Sequence, residues 1–131
     1  MKIFLIDDDG LSLFLTQHFL NLEGFKDIRT FMSAEEALEL LARSSVEDIP
    51  DVVLLDLNMP GMDGWDFLDA LAPLELKLRG KCSLYILTSS LDVSDTTKSQ
   101  EYSIVSGFIH KPITPEDIKV IAKHAAESHR K

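Results

Sequence analysis

Cysteine is almost missing from this sequence, since Cys82 is the only one in 131 residues. A single cysteine excludes an intramolecular disulfide and is typical of proteins of the reducing cytoplasm, where we expect this chain to be. Histidine is also sparse, and the four histidines lie scattered along the chain without the spacing of metal ligands. The sequence therefore predicts neither a disulfide framework nor a zinc site.

Long apolar runs are absent as well. Runs such as Ile3–Ile6 and Val52–Leu55 are far shorter than the roughly 20 residues of a membrane-spanning helix. Asp7, Asp8 and Asp9 interrupt the first run at once, so the sequence predicts no secretory signal peptide. With 45% hydrophobic and 27% charged residues, the composition is that of a folded globular protein, and we expect no membrane partner.

Basic residues are outnumbered by acidic ones, 13 against 22, which gives a formal net charge of −9 at pH 7. A field of this sign repels phosphate backbones, so we expect no direct binding to nucleic acid. An acidic balance often serves only solubility. In this sequence, however, several of the acids stand directly after predicted strands, where they can share one site.

Internal repeats, linkers and low-complexity segments are also missing, and the length suits a single domain over residues 1–131. Five short apolar runs alternate with five segments of helical periodicity. The predicted strands are Lys2–Ile6, Asp27–Phe31, Asp51–Asp56, Ser83–Thr88 and Gly107–His110. The predicted helices begin at Leu11, after Ser33, at about Trp65, at about Asp92 and after Thr114, and end near Leu22, Arg43, Leu71 or Leu74, Glu101 and Ser128. This alternation predicts an α/β fold, an open parallel sheet with helices on both faces.

Two of the helices carry more specific signals. In the second helix, Ser33 followed three residues later by Glu36 predicts a capping box, with Ala37, Leu38 and Leu41 on the inner face. In the first helix, six residues at helical spacing predict its apolar face: Leu11, Phe14, Leu15, His18, Phe19 and Leu22.

Charged and polar residues follow four of the five predicted strands. They are Asp7, Asp8 and Asp9 after the first, Asp56 and Asn58 after the third, Thr88 and Ser89 after the fourth, and Lys111 with Pro112 after the fifth. Ligand sites of such sheets lie at the carboxyl ends of the strands, so we expect these residues to converge. Neighbouring carboxylates raise one another's pKa or bind a cation, and Mg²⁺ prefers oxygen ligands. A carboxylate nucleophile beside Lys111 and the Thr88 hydroxyl indicates phosphoryl transfer.

Over essentially its whole length the chain resembles the response-regulator receiver domain of two-component signalling. The resemblance rests on four motifs in the order of that family: Ile6-Asp-Asp, Leu55-Asp-Leu-Asn-Met-Pro-Gly-Met-Asp-Gly64, Leu87-Thr-Ser and Lys111-Pro112. It implies a flavodoxin-like (βα)5 doubly wound parallel sheet with strand order 2-1-3-4-5. It also implies a magnesium site formed by Asp7, Asp8, Asp56 and the backbone carbonyl of Asn58.

The resemblance also implies roles for the remaining residues. Asp56 is then the phosphoacceptor, Thr88 and Lys111 assist the transfer, and Thr88 forms a switch with Phe108. Ser90 and Asn58 then influence the lifetime of the phosphorylated state. A cis peptide bond is implied between Lys111 and Pro112, which an X–Pro bond adopts at low cost.

The function implied in this way is that of a chemotaxis-regulator-like receiver, either stand-alone or a fragment of a longer protein, and not of a metabolic enzyme. A histidine kinase or a phosphotransfer protein would phosphorylate Asp56 in a reaction that depends on Mg²⁺. The surface of the fourth helix, fifth strand and fifth helix would then switch and be recognised by a downstream protein, which the sequence does not identify.

Other interpretations of these residues fit less well. Asp56-Leu-Asn58 is superficially like the nucleophile motif of haloacid dehalogenase-like phosphohydrolases, but there the nucleophile follows the first strand, and Asn58 cannot serve as acid–base. In a flavin-binding flavodoxin, Asp7–Asp9 would repel the phosphate. In a calcium loop, Pro60 would replace one ligand and Phe67 the bidentate glutamate. A degenerate receiver that acts only as a docking module is expected to lack site residues, and none is missing.

Overall fold

A five-stranded parallel sheet forms the centre of the computed structural model, which describes residues 1–89 and 93–128. The strands are β1 (Ile3–Ile6), β2 (Ile28–Phe31), β3 (Val52–Leu55), β4 (Ser83–Thr88) and β5 (Val105–His110). Their order in the sheet is β2-β1-β3-β4-β5, and every neighbouring pair is parallel. The predicted fold class and strand order are confirmed.

Helices connect the strands along the described parts of the chain. They are α1 (Gly10–Leu22), α2 (Ala34–Arg43), α3 (Gly64–Ala70), α4 (Val93–Ser99) and α5 (Pro115–Ser128), with a one-turn helix at Glu75–Leu78 and 3₁₀ turns at Val46–Asp48 and Ala72–Leu74. No helix in the described residues is long and apolar enough to cross a lipid bilayer.

Side chains of alternate strand residues divide the core into two layers. Phe4 and Ile6 of β1 belong to the layer that also holds the inner faces of α2 and α3. Ile3 and Leu5 belong to the layer that holds residues of α1 and α5. Because both faces of the central strands are covered, β1, β3 and β4 are buried along their whole length. This explains why they are apolar without alternation.

The prediction of the apolar face of α1 is wrong, because most of the residues named for it do not face the core. Leu11, Phe14 and Leu22 are each 67% exposed, and the buried residues of this helix are Leu13, Thr16 and Leu20. Leu15, which is 38% exposed, and His18 also face solvent. Of the predicted face, only Phe19 packs partly against the core. Large apolar residues surround most of this helix, so helical spacing alone does not identify the face that meets the sheet.

The second helix agrees better with the sequence. Ala37 and Leu41 are buried, and Leu38 packs partly against the core. Ser33 caps the helix, and its Oγ accepts the Glu36 N–H at 3.3 Å. The predicted capping box is only half formed, because the return bond from the Ser33 backbone N–H to the Glu36 carboxylate is not made; the Ser33 hydroxyl itself donates to the neighbouring Glu35 carboxylate at 3.2 Å.

Reciprocal capping pairs form at two other helices, and both use aspartate. At α3, Asp63 accepts the Asp66 N–H and Asp66 accepts the Asp63 N–H. At α5, Thr114 and Asp117 exchange the same pair of hydrogen bonds, which confirms Thr114 as the cap. The shorter side chain of aspartate therefore suffices for the return bond of a capping box.

Two boundaries near the end of the sheet differ from the predictions. Strand β5 begins at Val105 instead of Gly107, and Val105 pairs with Leu84 across a register irregularity that lies between Leu84 and Tyr85. Helix α4 ends at Ser99, two residues before the predicted end. Its predicted first residue, Asp92, lies outside the described residues.

Gly64, the first residue of α3, lies against the backbone that follows β3. A Cβ atom at this position would lie 2.8 Å from the Leu57 Cα and 2.9 Å from the Asp56 carbonyl oxygen. The Gly64 N–H also donates to the Leu57 carbonyl oxygen at 3.0 Å. Helix α3 can begin this close to Asp56 because residue 64 has no side chain.

We expect Gly64→Ala to lower the free energy of unfolding by about 1–3 kcal/mol, since the added methyl group overlaps rigid backbone. Gly10→Ala is the matched control, because Gly10 is also the first residue of its helix and its added Cβ would meet no atom within 4 Å. That variant should be neutral or slightly stabilised, because alanine has the higher helix propensity. Urea unfolding followed by circular dichroism measures both, and equal losses would contradict the close contact.

Candidate functional site

Two aspartates continue the central strands beyond their ends. The Asp56 N–H donates to the Ile6 carbonyl oxygen at 2.9 Å, and the Asp7 N–H donates to the Phe31 carbonyl oxygen at 3.0 Å. The backbone ladder of the sheet therefore extends through both residues. Asp7 is 1% exposed and Asp56 is 6% exposed, so the sheet holds two carboxyl groups in a nearly buried position.

A third acid completes the group. Asp7, Asp8 and Asp56 each offer one carboxylate oxygen, and these oxygens lie within 4.8 Å of one another. Asp8 is half-buried and is the most accessible of the three. The predicted convergence of the residues after β1 and β3 is therefore present.

Lys111 brings a positive charge to these carboxylates from the end of β5. Its Nζ lies 2.7 Å from Asp7 Oδ2 and 3.8 Å from Asp56 Oδ1. The Lys111 N–H donates to the Thr88 carbonyl oxygen at 2.8 Å, which fixes the chain directly after β5. The peptide bond between Lys111 and Pro112 is cis, as the resemblance implied.

The two buried carboxyl groups titrate differently. Burial, and then the negative charge of Asp7, raises the pKa of Asp56 to about 6, although Lys111 partly offsets both effects. Burial also acts to raise the pKa of Asp7, but hydrogen bonds from Lys111 and from the Asp9 N–H outweigh it and hold that pKa below its ordinary value. Asp7 therefore keeps the negative charge, and Asp56 is the group that takes up a proton first.

The donor set fits a hard divalent cation. Three carboxylates supply oxygen ligands, and no soft ligand stands among them, which matches the preferences of Mg²⁺. Asn58 is exposed two residues after Asp56, and its N–H donates to Asp56 Oδ1 at 3.4 Å. The part of its backbone carbonyl in the metal site stays a prediction.

Thr88 and Phe108 lie on neighbouring strands of the same sheet region. Thr88 ends β4 and is completely buried. Phe108 lies in β5, where it pairs with Ile86 of β4. It is half-buried and packs against the core layer of α2 and α3. Their switch roles stay predictions. Ser90, to which the resemblance gave an influence on the phosphorylated lifetime, lies outside the described residues.

Asp9 and Gly64 support the site in ways that the sequence indicated only partly. The Asp9 side chain caps α1 by accepting the N–H groups of Leu11 and Ser12, and its own N–H donates to Asp7 Oδ1 at 3.0 Å. The sequence did not predict the bond to Asp7. The glycine after Asp63 signals the close approach of α3 to Asp56.

Comparisons with known proteins agree with this geometry. The family model described as response regulator receiver domain matches residues 3–123. Sporulation initiation phosphotransferase F of Bacillus subtilis is 30% identical over 125 residues, which cover 93% of this chain and 90% of that protein. The two-component response regulator ARR14 of Arabidopsis thaliana is 30% identical over 131 residues, or 95% of this chain, but the match spans only 30% of that longer protein.

Solved structures show the same fold. The response regulator receiver protein of Dyadobacter fermentans superposes with a TM-score of 0.85 at 28% identity, over 95% of this chain and 97% of that one. Fold, strand order and the family match over nearly the whole chain lead to one assignment. The chain belongs to the family of response regulator receiver domains of two-component signalling.

Proposed function

We propose that this receiver accepts a phosphoryl group on Asp56 from a phosphohistidine of a histidine kinase or phosphotransfer protein. The observation that carries the proposal is the convergence of the nearly buried Asp56 with Asp7, Asp8 and Lys111. Receiver domains are signalling modules and not metabolic enzymes. A cytoplasmic location, predicted from the single cysteine, belongs to the same proposal.

The chemistry follows from the positions of the side chains. An Asp56 carboxylate oxygen attacks the phosphorus atom, the bond from phosphorus to the donor nitrogen breaks, and the imidazole leaves with that electron pair. Asp56 must be ionised to attack, and with a pKa of about 6 it is mostly ionised at neutral pH. Lys111 can turn from Asp7 to the phosphoryl oxygens. Bound Mg²⁺, held by Asp7, Asp8, Asp56 and Asn58, would screen the negative charges that meet during transfer.

The donor protein has a surface to dock on beside the site. The outer face of α1 exposes Leu11, Phe14 and Leu22, an apolar area that the fold leaves uncovered. This face adjoins a cavity of about 350 Å³ whose lining includes Lys111 and Pro112. A protein docked on α1 can therefore bring its phosphohistidine to Asp56.

Phosphorylation is then transmitted through Thr88 and Phe108. The new group adds negative charge and acceptor oxygens at the sheet edge, and the Thr88 hydroxyl turns to donate to it. This leaves space behind β4, and Phe108 rotates inward to fill it, which reshapes the surface of α4, β5 and α5. Both arrangements exist before phosphorylation, and the phosphoryl group shifts their populations. A downstream protein recognises the reshaped surface.

The alternatives find less support. A docking module without phosphorylation has no reason to bury two carboxylates beside a lysine, because such a cluster costs stability. In a haloacid dehalogenase-like phosphohydrolase an acid–base aspartate stands two residues after the nucleophile. Here that position holds Asn58, which is exposed and cannot transfer protons.

Acetyl phosphate with Mg²⁺ should add one phosphoryl group to the protein, labile to hydroxylamine. Asp56→Asn should abolish the addition, because the carboxamide of asparagine is not a nucleophile at neutral pH. Asp63→Asn is the control, since Asp63 lies in the same loop and asparagine caps a helix equally well. Intact mass measures all three proteins. A single stable phosphate on Asp56→Asn at the parent rate would refute the assignment.

Mg²⁺ should raise the melting temperature of the parent protein, because it binds the folded site and relieves repulsion there. At an Mg²⁺ concentration of about a hundredfold the dissociation constant, the free energy of unfolding rises by about 2.7 kcal/mol. This gain in stability should shrink as the pH falls below about 6, where protons compete with Mg²⁺ for Asp56.

In thermal melts with and without Mg²⁺, Asp8→Ala should lose most of this gain. Asp27→Ala, which removes an exposed acid at the opposite end of the sheet, should keep it. An equal rise in Asp8→Ala and the parent would place the ion elsewhere.

Thr88→Ala should still allow beryllofluoride, a phosphoryl mimic, to bind at Asp56 but should uncouple Phe108 from it. With 4-fluorophenylalanine at position 108, ¹⁹F NMR should show a shift on adding beryllofluoride to the parent and a much smaller one in Thr88→Ala. Equal shifts in the two proteins would mean that the signal bypasses Thr88.

A further inference from the structure

Four side chains join the end of α4 and the segment after it to α3; we call them the α3–α4 latch (Trp65, Asp69, Lys98, Tyr102). The rings of Trp65 and Tyr102 stack with centroids 5.8 Å apart and planes inclined by 30°. Lys98 Nζ lies 4.9 Å from the centroid of the Trp65 ring. The Tyr102 hydroxyl donates to Asp69 Oδ1 at 2.6 Å. That hydrogen bond, more than any other cause, raises the pKa of Tyr102 to about 12.

The latch connects two parts of the chain that the proposed function also connects. Trp65 and Asp69 belong to α3, which begins directly after the loop that follows Asp56. Lys98 and Tyr102 lie in the chain that joins Thr88 to Phe108. Trp65, Tyr102 and Phe108 all pack at the margin of the same core layer. A rearrangement that moves Tyr102 or Lys98 away from α3 therefore has to break contacts of the latch.

The segment that carries Tyr102 packs only partly against the core, through Tyr102, Ile104 and Val105. A cavity of about 360 Å³ lies between it and α3, and its lining includes Leu68, Asp69, Tyr102 and Ile104. The hydrogen bond from Tyr102 to Asp69 borders this cavity, and next to it the Ser103 hydroxyl donates to Glu75. Directional contacts therefore add to the partial apolar packing in fixing the position of the segment.

We propose that the α3–α4 latch restrains the switch, with Trp65 and Tyr102 as positioning residues that favour the arrangement in which Phe108 is half-buried. If the contacts of the latch form in this arrangement and loosen in the other, they shift the equilibrium toward the first arrangement. The inward position of Phe108 therefore becomes populated when the latch opens or when a phosphoryl group on Asp56 outweighs it. Trp65 is the sole tryptophan of the chain, so its fluorescence reports directly on the latch. This inference rests on the proposed function.

Tyr102→Phe tests the latch, because it removes the bond to Asp69 and keeps the ring that stacks on Trp65. We expect it to lower the apparent dissociation constant of beryllofluoride in the presence of Mg²⁺ by about threefold to tenfold, the range of one hydrogen bond. The ¹⁹F signal of 4-fluorophenylalanine at position 108 should move toward its bound position before any beryllofluoride is added. Lys98→Gln should act in the same direction through the Trp65 ring.

Tyr85→Phe is the matched control. It also removes a tyrosine hydroxyl from a hydrogen bond, the one to His124 Nδ1 at 3.0 Å, but in the opposite core layer. We expect it to change the melting temperature without changing beryllofluoride affinity. If the latch were purely structural, Tyr102→Phe would likewise change the melting temperature and leave beryllofluoride affinity unchanged. That result, or weaker binding of beryllofluoride by Tyr102→Phe, would overturn the inference. Failure of the parent itself to bind beryllofluoride would instead refute the proposed function.

Discussion

Asp7 and Asp56 lie side by side at the carboxyl edge of the sheet, nearly excluded from water, and Lys111 contacts both of them. In such an environment the repulsion between two negative charges is far stronger than at the surface, and one ammonium group cannot neutralise both. The resulting asymmetry appears in the pKa values, since Asp7 is held charged and Asp56 is pushed toward its protonated form. A further positive charge relieves this conflict, which is why the same cluster that weakens the fold is suited to bind a cation.

The conflict persists because the surrounding structure does not let the carboxylates move apart. Both follow strands that are buried on two faces, and the backbone ladder runs through them. The Asp9 N–H orients one oxygen of Asp7, and the approach of Gly64 leaves little space behind Asp56. A tightly packed interior resists small displacements, so the energy of repulsion is stored in the site instead of being released by relaxation.

The sequence was sufficient for those features that depend on local pattern. Continuous apolar runs predicted the strands, and the polar residues directly after them predicted the site, because parallel strands present their carboxyl ends at one edge. The face of α1 was predicted wrongly, since Leu11 and Phe14 look as suitable for a core as Leu13 and Leu20. The latch was beyond prediction for another reason. Tyr102 and Asp69 are 33 residues apart, and no local pattern indicates their contact.

The sheet also separates two kinds of contact that a receiver needs. On one side, α1 exposes apolar residues next to Lys111, where the proposed donor protein would meet the site. On the other side, α3 contacts the chain between Thr88 and Phe108 through the ring stack and the hydrogen bond of Tyr102, beside a cavity. Asp56 lies between the two, at the end of the central strand. In the proposed function a change of charge at Asp56 acts on both sides at once, because α3 begins next to the Asp56 backbone and the Lys111 N–H donates to the Thr88 carbonyl oxygen.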